Sequence, residues 1–113
     1  MHLKKLSELI NVAKKKNRKK KLVLAAAEDD FSLRAVSELN GLGLIDPILI
    51  GNTKKIRQVI DKKKIDITNY EIFAAKSEKD AARISVEYIK TGKADILMKG
   101  LVSTRIFLKE ILN

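Results

Sequence analysis

Lys99 and Gly100 stand just ahead of two hydroxyls, Ser103 and Thr104, with Arg105 next. A cation, a residue without a side chain and neighbouring hydroxyls suit the holding of an anion, provided the backbone presents them together. The flanking residues supply that backbone. Ile96-Leu97-Met98 is a continuous apolar run, which reads as a parallel strand covered on both faces. Gly100 permits backbone angles closed to other residues, so the chain can turn sharply as it leaves the strand. Ser103 or Thr104 is a good helix N-cap, and Phe107, Leu108, Ile111 and Leu112 then form one apolar helical face. The group would lie at the carboxyl end of a strand, where open α/β sheets bind ligands. The glycines and the Lys-Ser/Thr pair lack P-loop spacing. The same residue types also make an ordinary strand-to-helix turn, so the anion site is one of two readings of this stretch.

Other chemistry has few candidates. The chain has no cysteine, hence no disulfide framework and no thiolate metal site. His2 is the sole histidine and sits at the N-terminus, where neither a catalytic nor a ligand role is expected. Glu28-Asp29-Asp30 could do acid–base work or hold a metal, but adjacent carboxylates point in different directions. A helix start accounts for them, since they cap free N–H groups and complement the helix dipole. No metal site and no catalytic residue are assigned.

The elements that would position the site follow from periodicity. Leu3, Leu6, Ile10 and Ala13 give an amphipathic helix ending near Asn17. Strands are expected at 22–27, 48–50, 71–75 and 95–98. Between them come helices with inner stripes Leu33, Ala35, Val36, Leu39; Ile56, Val59, Ile60; and Ala82, Ser85, Val86, Ile89. Gly41 and Gly43 end the first of these, and Pro47 opens the second strand. Ser77 and Asp80 resemble a capping box with Asp in place of Glu. Strands separated by crossover helices predict an open, mostly parallel sheet with helices on both faces, a single α/β domain over residues 1–113.

The 113 residues are 45% hydrophobic and 34% charged, a globular composition with enough chain for a real core. No apolar run could span a bilayer and no secretory signal is visible, so a cytoplasmic protein is expected. The net charge of +10 is partly concentrated in Lys14-Lys15-Lys16 and Arg18-Lys19-Lys20-Lys21. Such runs read first as solvated faces. The aromatics Phe31, Tyr70, Phe73, Tyr88 and Phe107 do not alternate with them as a base-stacking surface would, which places nucleic-acid binding last among the readings.

Three stretches together resemble the N-terminal part of phosphate acyltransferases, the phosphate acetyl/butyryltransferase family, with the butyryl branch the nearer match. They are Leu24-Ala25-Ala26-Ala27-Glu28-Asp29, Asp46-Pro47-Ile48-Leu49-Ile50-Gly51, and Ala94 through Thr104. The resemblance spans residues 20–113, and the third stretch is its specific part. It implies acyl transfer between coenzyme A and inorganic phosphate, with no cofactor beyond the coenzyme A thioester as substrate. It also implies a first domain like that of isocitrate and isopropylmalate dehydrogenases, followed by a second domain that these residues do not include. The expectation is therefore a truncated form. Lys99, Gly100, Ser103, Thr104 and Arg105 would bind phosphate or coenzyme A, although Arg105 replaces the small polar residue expected there. Homo-oligomers are expected, without membrane partners. The alternative reading is a non-catalytic anion-binding α/β module.

Overall fold

A computed structural model of the chain describes residues 19–112. The elements are β1 (Lys20–Ala25), α1 (Asp30–Gly41), β2 (Ile45–Gly51), α2 (Thr53–Lys62), β3 (Glu71–Ala74), α3 (Glu78–Lys90), β4 (Ile96–Lys99) and α4 (Thr104–Leu112). The strands form one parallel sheet in the order β3-β2-β1-β4. The expected α/β architecture is therefore the one that forms. The helix expected up to Asn17, and His2, lie outside the described residues.

Two apolar layers sandwich the sheet. Leu22, Leu24 and Leu49 face α1 and α2, meeting Leu33, Val36 and Ile56. Val23, Ile48 and Ile50 face the other way, onto Ala81 and Ala82 of α3 and onto Val102, Ile106 and Phe107 around α4. Successive strand residues point to opposite faces, so an inner strand covered on both sides needs apolar residues at every position. That is why β1 and β2 read as unbroken runs. Each fully buried leucine or isoleucine contributes about 1.5–3 kcal/mol relative to exposure.

Three expectations are corrected. β4 is an apolar run, yet it is an edge strand among the described residues, and Ile96 is 40% exposed. Pro47 does not open β2, which begins at Ile45. Proline is tolerated there for a geometric reason. The carbonyls of Leu44 and Ile50 both point to β1, so Pro47 lies in the opposite phase and turns its nitrogen toward β3. β3 begins only opposite Ile48, so no ladder acceptor stands where the missing N–H would be. Finally, α4 packs by only one residue of the face expected, Phe107. Ile106, Phe107 and Glu110 turn inward, whereas Leu108, Ile111 and Leu112 are exposed.

Among the described residues, no helix is long and apolar enough to cross a membrane. No group of three or more His, Cys, Asp or Glu side chains gathers there to hold a metal ion.

Candidate functional site

The connections set the site's position. From β1 the chain moves through α1 and α2 on one face toward β3, then returns through α3 on the other face to place β4 beside β1. β1 and β4 are therefore neighbours whose following helices leave to opposite faces. Their carboxyl ends therefore lie at the switch point, the general ligand position of open α/β sheets.

Here the two strand exits are drawn together. Gly100 N–H donates to Ala25 O at 2.8 Å, and Leu101 N–H donates to Ala26 O at 2.7 Å. Gly100 is buried, and its lack of a side chain is needed for proximity rather than for backbone angle. It takes no left-handed φ, but a Cβ there would overlap Ala26 O and lie 2.8 Å from Ala25 O. This corrects the expectation of a conformational role. The left-handed residue is instead Ala26, with φ of 59°. A non-glycine residue in that region carries strain, and it stands where Ala26 O accepts from the β4 exit.

The carboxylates that follow β1 separate in role. Asp29 caps α1, its Oδ2 accepting from Ser32 N–H at 2.9 Å, as the helix-start reading requires. Its Oδ1 is buried without a hydrogen-bond partner among the described residues. Glu28 is not a cap of its own helix. Its Oε1 accepts the Asn52 N–H at 3.0 Å and crosses above Gly51, where a Cβ would collide with it. Glu28 thereby ties the exit of β1 to the start of α2.

The five predicted binding residues fall into two groups. Lys99 ends β4 opposite Ala25, exposed at the strand exit, with its Nζ 3.4 Å from Gly100 O. That distance is long for a hydrogen bond and leaves the ammonium free to engage another acceptor. Gly100 lies beside it with its N–H already used. Ser103 caps α4, its Oγ accepting from Ile106 N–H at 3.2 Å. Thr104 and Arg105 open the helix, and their amides have no intrahelical acceptor. Ser103 and Arg105 also line a groove of about 420 Å³ between α3 and α4, with Lys79, Ile106, Lys109 and Glu110.

Lys79 and Lys109 were not among the sequence-derived candidates. Arg105 and Lys109 are four residues apart and so share a helix face, a signal present in the sequence. Nothing local points to Lys79. It joins them only because α3 and α4 pack side by side.

Comparison with known proteins bears on the same stretches. Residues 5–95 match the family model described as phosphate acetyl/butaryl transferase. The chain is 39% identical over 111 residues to the phosphate butyryltransferase of Clostridium acetobutylicum, covering 98% of this chain and 36% of that protein. It is 32% identical over 108 residues to the phosphate acetyltransferase of Thermotoga maritima, covering 96% of this chain and 36% of that protein. The fold resembles the crystal structure of a phosphotransacetylase from Streptococcus pyogenes, with a TM-score of 0.77 at 19% identity over 97% of this chain and 42% of that one. The chain spans about a third of the length of these curated relatives.

Proposed function

Because the chain belongs to the phosphate acetyl/butaryl transferase family, we propose that it is the phosphate-binding part of an acyltransferase acting between coenzyme A and inorganic phosphate. In that reaction a phosphate oxygen attacks the thioester carbonyl, the carbon–sulfur bond breaks, and the products are acyl phosphate and coenzyme A. The observation that carries the reading is the paired exit of β1 and β4 at the sheet's switch point. There a free lysine ammonium lies beside a backbone junction so tight that it admits only glycine.

Each candidate residue has a task in this reading. Lys99 supplies charge to the phosphate. Gly100 lets the β4 exit close on β1 and fixes the direction in which the chain enters α4. The amides of Thr104 and Arg105 and the Thr104 hydroxyl offer donors, favoured for an anion by the helix dipole. Arg105 adds a second charge. Ser103 orients these donors by capping the helix.

Binding an anion is not sufficient for turnover. Rate enhancement requires donors aimed at the oxyanion that develops in the transition state, and reactants held in attacking geometry. The latter is worth roughly 7–11 kcal/mol in the best cases. The described residues offer no acid–base group at the strand exits beyond carboxylates engaged in capping and strand tying. The 113 residues are therefore expected to bind phosphate weakly and to transfer acyl groups slowly. A cytoplasmic location and self-association belong to the same proposal.

The test has two parts. Purified chain is titrated with inorganic phosphate while amide resonances are followed, and shifts are expected at Gly100, Leu101 and Thr104. Lys99→Ala should weaken phosphate several-fold, and unchanged affinity would remove Lys99 from the site. Butyryl-CoA and phosphate are then supplied and thiol release is measured. Turnover equal to that of a full-length relative would show that the catalytic groups lie within these residues and have been misassigned.

A further inference from the structure

The turn that follows β4 is held by its backbone, yet it leaves one large apolar side chain outside. The Gly100 and Leu101 N–H groups donate to Ala25 O and Ala26 O, and Val102 N–H donates back to Gly100 O at 2.9 Å. Three consecutive amides are therefore engaged, and the main chain sets the direction of each side chain. Val102 turns into the core and is 3% exposed, whereas Leu101 turns outward and is 55% exposed. A polar residue would serve an exposed turn without presenting apolar surface to water. Single exposed leucines are common on protein surfaces, and what distinguishes this one is its place. It follows directly on the paired strand exits at the switch point. The Lys99 Nζ lies 3.4 Å from Gly100 O, the carbonyl of the peptide unit that joins Gly100 to Leu101. An ammonium and an isobutyl group thus flank one peptide unit whose position is fixed by β1.

The chemistry of acyl transfer supplies the partner. When phosphate attacks the thioester, the acyl carbon becomes bonded to a phosphate oxygen, so the acyl chain begins wherever phosphate is held. The Cα atoms of Lys99 and Leu101 are at most about 7.6 Å apart, twice the spacing of consecutive residues. A short acyl chain leaving an anion at Lys99 is of the same size. Charge cannot discriminate between acyl groups here, since acetyl and butyryl phosphate carry the same anionic group. Apolar contact can. We infer that Leu101 is the acyl-contacting residue of this site, and that it favours chains with three carbons beyond the carbonyl over the single methyl of acetyl. The inference rests on the acyltransferase reading and adds to it the residue that sets acyl preference. Phe31 is also exposed, in the first turn of α1, but α1 leaves to the opposite face of the sheet from α4.

The experiment uses the whole 113-residue chain and a series of alkylphosphonates from methyl to butyl. These join one phosphate-like anion to an apolar chain and do not hydrolyse. Dissociation constants are read from amide and leucine methyl resonances. A methylene fully removed from water is worth about fourfold in affinity and one half removed about twofold, so butylphosphonate should bind at least about eightfold more tightly than methylphosphonate. Leu101→Ala, at an exposed position, should reduce that ratio to less than half, and Leu101→Met should restore it. Phe31→Ala should leave it as in the parent. A smaller ratio in the parent would overturn the inference. So would a Leu101→Ala variant that keeps more than half of the ratio, or a Phe31→Ala variant that loses as much of it. Leu101 shifts that follow protein concentration rather than chain length would assign the side chain to contact between copies, and would overturn it too. Inorganic phosphate and methylphosphonate report the anion site separately, through Gly100 and Thr104. Their failure to shift those amides overturns the acyltransferase reading, while normal anion binding without dependence on chain length overturns only this inference.

Discussion

At Gly100 a single hydrogen atom decides whether the exits of β4 and β1 can close on each other. Its Cα faces the carbonyls of Ala25 and Ala26, which are backbone atoms and cannot rotate away. Gly100→Ala should therefore cost about 1–3 kcal/mol, the usual range for overpacking, and should weaken phosphate binding as well. Urea denaturation measures the first effect, and a loss below 0.5 kcal/mol would mean that the junction is looser than described. Ala26 carries the complementary demand, since its φ of 59° is closed to β-branched side chains. Ala26→Val should destabilise the chain by at least about 2 kcal/mol in the same measurement, from backbone strain and crowding together. The sequence marked Gly100 as special but for the wrong reason. Close approach between strands distant in sequence has no local signature, whereas a glycine at a predicted turn does.

Among the elements, α3 shows most directly how local chemistry sets a boundary. Ser77 Oγ accepts from Asp80 N–H at 3.1 Å, and Asp80 reaches back to Lys76 N–H at 3.0 Å. The box legible in the sequence therefore forms, with its return arm one residue earlier than the usual N-cap amide. The Lys76 N–H, and then the Arg83 guanidinium, hold the Asp80 carboxyl below its ordinary value of 3.8. A depressed carboxyl contributes stability above its unfolded pKa and loses it as pH falls through the folded one. Lowering pH through and below 3.8 should therefore fray the start of α3, and Asp80→Asn should flatten that part of the pH–stability curve. Parallel curves for the two proteins would show that the cap contributes nothing measurable. By contrast, α4 could not be oriented from sequence. Its apolar residues occupy more than one face, and which face is buried depends on where α3 lies.

For the whole molecule the open question is the apolar side left by β4 and α4. Ile96, Leu101, Leu108 and Leu112 are 40%, 55%, 49% and 82% exposed. Exposed apolar surface favours association, while a net charge of +10 opposes it by repulsion between copies. Salt screens the repulsion over about 10 Å at 0.1 M and leaves the apolar term intact, so self-association should grow with ionic strength. Sedimentation equilibrium at low and high salt tests this, and a clean monomer at high concentration in both would exclude it. Leu108→Gln/Leu112→Gln should shift the balance toward monomer.

Taken by itself, the sequence determined the order of elements, the parallel sheet and the cap at Ser77. These depend on periodicity, turn residues and short-range hydrogen bonds, all carried by neighbours in the chain. It also placed Lys99 and Gly100 at a strand exit. Only the tertiary structure decided that this exit lies beside β1, since that depends on the crossover of α3 from one edge of the sheet to the other. It alone made Glu28 a tie between β1 and α2 rather than a helix cap. It alone brought Lys79 to Arg105 and Lys109, because charges on two helices meet only when the packing of Ala81, Ala82, Ile106 and Phe107 on the sheet fixes the helices side by side.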